Sequence, residues 1–307
     1  MLWPKSPPPG SATPAVARTW PSSSPSDRDT GEGAPPPWPT SGNGSSEVRL
    51  KAAPPPLQPE RPEGEEGPGA GFPAKTLAWL LPAVAAALVL SSIGAALGDA
   101  LTGSSKSALT DLLGEAGLWA AMFGTASVVS HRYGTGHLRQ DFGLAWTRKD
   151  VLWAALAAVS ALVVSEFVVE AFAGTRFSGS NTQIITQQQG HEVGLVLVSL
   201  LVAVGAPFFE ELFFRGYLRI ALQQALKQLF GDSRRGLSAH GAVWLQAAFF
   251  GFAHFGEASK LAGNVSVVLA MFGVGVVLGY TARFTGRLGA GMLAHGTFNL
   301  LALISVL

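Results

Sequence analysis

Seven long apolar runs follow one another from Ala74 onward, and they constrain the fold more than any other feature of the chain. A hydrocarbon core of about 30 Å is crossed by about 20 helical residues. In lipid every backbone N–H and C=O must be bonded internally, so continuous apolar runs of this length form helices. The sequence therefore predicts an all-α, polytopic membrane helical bundle of about seven transmembrane helices, at residues 75–97, 112–130, 151–172, 193–215, 238–255, 263–282 and 287–306.

The composition supports a membrane protein and excludes several kinds of site. Charged residues make up 13% of the chain, about half of what soluble proteins carry. The net charge of +1 gives no electrostatic footprint for nucleic acid, so no nucleic-acid partner is expected. The chain has no cysteine, which excludes disulfides, thiolate metal sites and a cysteine nucleophile.

The first 70 residues differ sharply from the rest, because they contain 17 of the 20 prolines and no periodic apolar pattern. Such a segment buries too little apolar surface to offset its conformational entropy. We therefore predict a disordered Pro/Gly/Ser-rich cytoplasmic tail at residues 1–70 and a helical membrane domain at 71–307, with the core motifs in 193–307.

The distribution of lysine and arginine between the loops predicts the orientation. The loops after the second, fourth and sixth runs are the basic ones, which places them and the N-terminus in the cytoplasm. We expect a multi-pass integral membrane protein, in the cytoplasmic membrane if the cell is bacterial, with the lipid bilayer as its first partner. The residues counted are Arg132, Arg139, Arg148, Lys149, Arg219, Lys227, Arg234, Arg235, Arg283 and Arg287.

Three charged residues interrupt the fourth apolar run: Glu210, Glu211 and Arg215. A charge at the centre of a bilayer costs about 2.5 to 3.5 kcal/mol on insertion scales, so such groups usually pair, line a cavity and mark function. Glu211 and Arg215 are four residues apart and share one face of an α-helix. Glu210 lies about 100° around the helix, so the two carboxylates need not have the same partner.

Two further polar insertions lie in the later runs. His254 stands one turn after Phe250 near the end of the fifth run, and His295 and Asn299 share a face of the seventh. With the glutamates, these residues supply a general base, imidazoles and a neutral amide from three helices. That set suits hydrolysis of an amide bond by water, with hydrogen-bond donors for the oxyanion.

Simple alternation of the spans creates a geometrical difficulty. It places Glu210 toward the cytoplasmic end of the fourth helix and His254 toward the outer end of the fifth. The two can meet only if the fourth helix continues through Leu222 or beyond, or if the fifth stops short and its loop re-enters. We predict that they meet around a cavity open to the cytoplasm.

These three motifs, in this order, resemble those of the intramembrane endopeptidases of the type II CAAX prenyl protease and bacteriocin-processing group, also called CPBP or Abi. That family has Glu-Glu-x-x-x-Arg, Phe-x-x-x-His and His-x-x-x-Asn or Asp on successive membrane helices. The chain matches with Glu210-Glu211 and Arg215, Phe250 and His254, and His295 and Asn299. A weaker similarity is Asp141-Phe142-Gly143-Leu144 before the third run.

The resemblance implies a peptidase acting on a membrane-associated protein or peptide. Glu210 would activate water and Glu211 would support it, while His254, His295 and Asn299 polarise water or stabilise the oxyanion and Arg215 orients its neighbours. It leaves two mechanisms open, one driven by glutamate alone and one using a divalent metal ion such as zinc, with His254, His295 and Glu210 as candidate ligands.

Two other classes of protein could use the same intramembrane charges. One is an ion- or proton-coupled transporter in which Glu210 and Glu211 relay protons or bind a cation. The other is a catalytically idle scaffold that gives immunity to a bacteriocin by binding a partner. The sequence leaves the oligomeric state open.

Overall fold

A computed structural model describes residues 67–69, 71–173, 192–258 and 260–304. These ranges contain helices, turns and loops and no strand, so the predicted all-α class is confirmed for them. The proline-rich tail predicted at residues 1–70 lies almost entirely outside them. The division into a tail and a membrane domain therefore stays a prediction.

Eight helices follow one another in the described residues, and a short 3₁₀ turn, Ala74–Trp79, precedes the first. Ser107 caps the second helix by accepting a hydrogen bond from the Thr110 N–H, while glycines with positive φ end the first, third and seventh helices. The helices are α1 (Leu80–Thr102), α2 (Ala108–Tyr133), α3 (Leu138–Phe142), α4 (Asp150–Ala173), α5 (Glu192–Phe230), α6 (Arg235–Ala253), α7 (Leu261–Thr285) and α8 (Gly289–Ile304).

The seven predicted runs coincide with α1, α2, α4, α5, α6, α7 and α8. Within the described residues, five helical segments are long and apolar enough to cross a membrane: Ala74–Thr102, Ala108–Tyr133, Asp150–Ala171, Glu192–Phe230 and Leu261–Thr285. The last helix, α8, is a shorter apolar helix, and α6 is not among the five. The membrane class is therefore confirmed, whereas the count of seven crossings is not.

Large apolar side chains cover the outer faces of the bundle. Leu81 on α1 is 79% exposed, and Leu152 and Phe167 on α4 are exposed nearly as much. A soluble monomer rarely leaves such surface in water, and lipid is the solvent that suits it. The buried residues lie instead around α5, so α5 is the central helix of the fold.

Helix α5 has 39 residues and is about 58 Å long at the α-helical rise, about twice the thickness of a hydrocarbon core. It continues well past Leu222, and Glu210 and Glu211 lie at its midpoint. The helix therefore continues as the first solution to the geometrical difficulty requires, while α6 also ends two residues before the predicted residue 255, at Ala253. The length also corrects the predicted end of this helix, from residue 215 to Phe230.

The helix is widened into π-type turns at Leu201–Gly205 and Glu211–Leu218. The first widening has a local cause. The N–H of Ala206 bonds to the Leu201 carbonyl, five residues back, and Pro207 has no N–H to offer. The Val202 carbonyl, which would accept from one of these two residues, is left without a helical donor.

A loop clamp fixes the start of α8. The Leu288 N–H donates to the Gly143 carbonyl at 2.8 Å, and the Gly289 N–H donates to the Ala145 carbonyl at 3.2 Å. Arg287 reaches Asp150 at the start of α4, with Nη2 to Oδ1 at 2.6 Å and Nε to Oδ2 at 3.3 Å. These contacts anchor α8 beside the middle of α5.

Candidate active site

A fully buried ion pair lies at the midpoint of α5. Arg215 Nη1 lies 2.9 Å from Glu211 Oε1, and both side chains have no exposed surface. The guanidinium carbon lies 4.0 Å from the centre of the Phe250 ring, a cation–π arrangement with α6. The predicted pairing of Glu211 with Arg215 is therefore present, and it neutralises a charge that has no access to solvent.

His295 on α8 connects the two glutamates. Its Nδ1 lies 3.1 Å from Glu211 Oε1, and its Nε2 lies 3.9 Å from Glu210 Oε2. The sequence analysis allowed the two carboxylates different partners, but both face the same imidazole. The two nitrogens of an imidazole point in different directions, so one ring can face two carboxylates that leave the helix at different angles.

Two glycines let α8 approach α5. A Cβ at Gly291 would lie 2.7 Å from Glu211 Oε2, and one at Gly296 would lie 2.7 Å from the Ala203 carbonyl oxygen. Both distances are too short for real side chains. The absence of a side chain at these positions therefore brings His295 within hydrogen-bonding distance of Glu211.

Asn299 lies one turn after His295 and is also buried. Its Nδ2 donates to the Val202 carbonyl at 2.9 Å. This is the carbonyl that the widened turn and Pro207 leave without a helical donor. Asn299 thus ties α8 to α5, and its amide keeps a second N–H for another acceptor.

His254 lies just beyond the end of α6 and is partly exposed. Its Nδ1 lies 2.7 Å from the Phe250 carbonyl oxygen, which accepts if Nδ1 carries the proton. The Phe250 ring is in edge contact with both His254 and His295, with centroid distances of 4.7 and 5.9 Å. Among the described residues, no hydrogen bond or ion pair joins His254 to Glu210, Glu211 or His295. Phe250 is the link between them.

Two glutamates that the sequence analysis did not single out surround the site. Glu115 on α2 and Glu257 after α6 both interact electrostatically with Glu210. Glu257 Oε1 also lies 4.0 Å from His254 Nε2. A signal existed for Glu115, because it is an acid inside an apolar run, as Glu210 and Glu211 are.

The side chains as arranged do not fit the predicted zinc set. In the part of the chain that the structure describes, no three histidine or acidic residues form a group that could hold a metal ion. His295 uses Nδ1 on Glu211, and His254 directs Nδ1 to a backbone carbonyl. The candidate ligands His254, His295 and Glu210 therefore lie near one another without forming a coordination sphere.

One oxygen of each glutamate remains available at the site. Glu210 Oε2 and Glu211 Oε2 are buried and accept no hydrogen bond from the described residues. An unpartnered carboxylate oxygen beside an imidazole can take a proton from water and pass it on.

Residues 192–301 match the family model described as type II CAAX prenyl endopeptidase Rce1-like. No curated protein and no solved structure matches the chain. The matched segment runs from the start of α5 into α8 and contains Glu210, Glu211, Arg215, His254, His295 and Asn299. The match confirms, over residues 192–301, the resemblance to intramembrane endopeptidases that the three sequence motifs indicate.

Proposed function

We propose that this protein is an intramembrane endopeptidase that hydrolyses a peptide bond of a membrane-associated protein or peptide. The observation that carries the proposal is the position of His295, whose two ring nitrogens face Glu211 and Glu210 at the middle of a membrane helix. The family match over residues 192–301 supports the same reaction class.

In this mechanism Glu210 is the base. Glu211 is held by Arg215 and His295, whereas Glu210 Oε2 has no hydrogen-bond partner among the described residues. Glu210 takes a proton from water, and the water oxygen bonds to the scissile carbonyl carbon. The C–N bond then breaks as the proton is delivered to the leaving amine.

The oxyanion formed on the scissile carbonyl needs hydrogen-bond donors. The second N–H of Asn299 is one candidate. His295 and His254 are the others, and each donates through Nε2 when its ring is protonated, because Nδ1 already faces Glu211 or the Phe250 carbonyl. Glu211 and Arg215 keep His295 oriented. Each step uses only the side chains named above. The proposed mechanism is therefore driven by glutamate, and it gives every one of these residues a role.

The name of the matching family suggests the substrate class. We propose a protein ending in a CAAX-type motif and held at the membrane by a lipid on its cysteine. The basic loops support a cytoplasmic N-terminus and a site open to the cytoplasm, where such proteins are anchored.

The test compares Glu210→Gln with Glu166→Gln in the full-length protein reconstituted in lipid. Glu166 is an exposed acid on α4, so its substitution controls for loss of a carboxylate elsewhere in the membrane domain. We expect Glu210→Gln to lower the cleavage rate of a lipidated CAAX peptide about 10² to 10⁴-fold, as loss of a general base does. Unchanged cleavage would contradict the proposal, and loss of cation uptake instead would favour a transporter.

A further inference from the structure

The side chain of Asn264 on α7 holds the loop that follows α6. Its Oδ1 accepts a hydrogen bond from the Gly256 N–H at 2.8 Å and another from the Ala258 N–H at 3.0 Å. Its Nδ2 donates to the Ala258 carbonyl at 2.7 Å. Asn264 is 8% exposed, and a buried amide is expected to have such partners. The loop is therefore fixed on both sides of Glu257.

Three glycines allow this loop to lie against α7. A Cβ at Gly251 in α6 would lie 2.5 Å from the Val268 carbonyl oxygen, and one at Gly263 would lie 2.9 Å from the Ala258 Cβ. Gly256 has a φ of +104°, a conformation that residues with a side chain rarely adopt. The end of α6 and the loop after it therefore pack directly on α7.

Glu257 is the residue that this loop places beside His254. Glu257 Oε1 lies 4.0 Å from His254 Nε2, while His254 Nδ1 lies 2.7 Å from the Phe250 carbonyl oxygen. An oxygen therefore faces each nitrogen of the imidazole, which limits the rotation of the ring. The distance of 4.0 Å is too long for a hydrogen bond, so Nε2 can still donate to a substrate.

We propose that Asn264 and Glu257 are positioning residues for the reaction. Asn264 fixes the loop, the loop places Glu257 beside His254, and Glu257 keeps the His254 ring in the orientation from which Nε2 can donate. This inference rests on the proposed function, in which His254 is a donor to the oxyanion. Such a donor is effective when its direction is set before the oxyanion forms, because no reorganisation is then needed.

The competing explanation is that Asn264 only stabilises the fold. Both explanations predict a lower melting temperature for Asn264→Ala, because two backbone N–H groups lose their acceptor. They differ in what the substitution does when Glu257 has already been replaced. If Asn264 acts through Glu257, its loss then has little further effect on kcat, whereas independent effects multiply.

The experiment measures kcat and KM for cleavage of a lipidated CAAX peptide by the full-length protein in lipid nanodiscs. We expect Glu257→Gln and Asn264→Ala each to lower kcat about ten-fold, less than the roughly 10² to 10³-fold cost of losing a donor itself. KM should change by less than about two-fold, because neither residue is proposed to bind the peptide. The double variant should be no slower than the slower single variant.

Two further variants complete the set. Ser266→Ala removes a buried hydroxyl from the same helix and should keep the full kcat. Asn264→Asp keeps an oxygen for both N–H groups and should lower kcat less than Asn264→Ala. It replaces Asn264→Ala in the double variant if that protein does not fold.

Unchanged kcat in Glu257→Gln would overturn the inference, and this variant should fold because the side chain it replaces is 19% exposed. Effects that multiply in the double variant would also overturn it, since Asn264 would then act independently of Glu257. In both cases the unmodified protein still cleaves the peptide, so the proposed function remains. Absence of cleavage by the unmodified protein would contradict both.

Discussion

Nδ1 of His295 lies 3.1 Å from Oε1 of Glu211, although 84 residues separate the two in the chain. The same Glu211 oxygen is 2.9 Å from Arg215 Nη1. The order Arg215, Glu211, His295, Glu210 alternates cationic or proton-donating groups with carboxylates. A buried carboxylate is tolerated only with such partners, so the site forms only when α8 docks on α5.

Arg215 is expected to be essential for stability. Arg215→Ala leaves Glu211 buried without its charged partner, and breaking a buried ion pair in this way costs about 3 to 5 kcal/mol. The measurement is thermal unfolding in detergent. Arg148→Ala, at an exposed position, should change stability by less than about 0.5 kcal/mol. Equal melting temperatures for the two variants would show that the buried pair is unimportant.

Gly291 is expected to control the position of Glu211. The new methyl group of Gly291→Ala would lie 2.7 Å from Glu211 Oε2, so either the carboxylate or α8 must move. A displacement of about 1 Å at a catalytic group lowers rates about 10²-fold, and we expect that loss in a peptide-cleavage assay with helical content unchanged. Gly124→Ala on α2 has no atom within 4 Å of the new methyl group and should keep full activity. Full activity of Gly291→Ala would refute this prediction.

Asn299 and Pro207 are expected to be coupled. Asn299→Ala leaves the Val202 carbonyl without a donor, which should cost about 1 to 3 kcal/mol. Pro207→Ala restores a backbone N–H that can reach this carbonyl. In a double-mutant cycle read by thermal unfolding, Asn299→Ala should therefore cost less when Pro207→Ala is present. Additive costs would mean that the missing proline N–H is not why Asn299 is needed there.

The Arg287–Asp150 clamp is expected to stabilise the fold equally over a broad pH range. Hydrogen bonds to Asp150 raise the pKa of the Arg287 guanidinium above its ordinary value. A raised pKa means that the stabilising contribution is complete below the ordinary arginine pKa and is lost only as the pH rises beyond it. Because the Arg287 side chain is 29% exposed, we expect Arg287→Ala to cost about 2 kcal/mol, less than a fully buried pair. The difference in melting temperature from the unmodified protein should be the same at pH 6 and pH 9, and a difference that shrank toward pH 9 would contradict this.

The sequence predicted the pairing on α5 and the helices that supply its neighbours. Glu211 with Arg215 followed from a spacing of four residues, and His295 followed from a polar insertion in an apolar run. Residue spacing and hydropathy are properties of a single helix. A charged pair within one helix, or a polar residue in an apolar run, can therefore be recognised without knowing how the helices pack.

The arrangement between helices was harder to predict. That Glu210 and Glu211 both face His295 depends on how α8 packs on α5, whereas an α-helical wheel shows only that the two side chains lie about 100° apart. The end of α5 at Phe230 was also missed, because the helix becomes polar after Arg215 while only Arg219, Ile220, Ala221 and Leu222 of its last three turns are buried. Glu257 was missed because its proximity to Glu210 depends on the loop after α6.

The widened turn Leu201–Gly205 separates two halves of α5 that are set in different registers. A π-type turn fits one extra residue into the space of an α-helical turn, so deleting one residue there would restore ordinary winding and leave Glu210 and Glu211 facing α8. Deleting Phe208 from the α-helical stretch Ala206–Glu210 would instead rotate both glutamates by about 100° about the helix axis, although every residue of the three motifs remained in the chain. We expect the widened turn to tolerate the loss of a residue and the stretch that follows it to tolerate none.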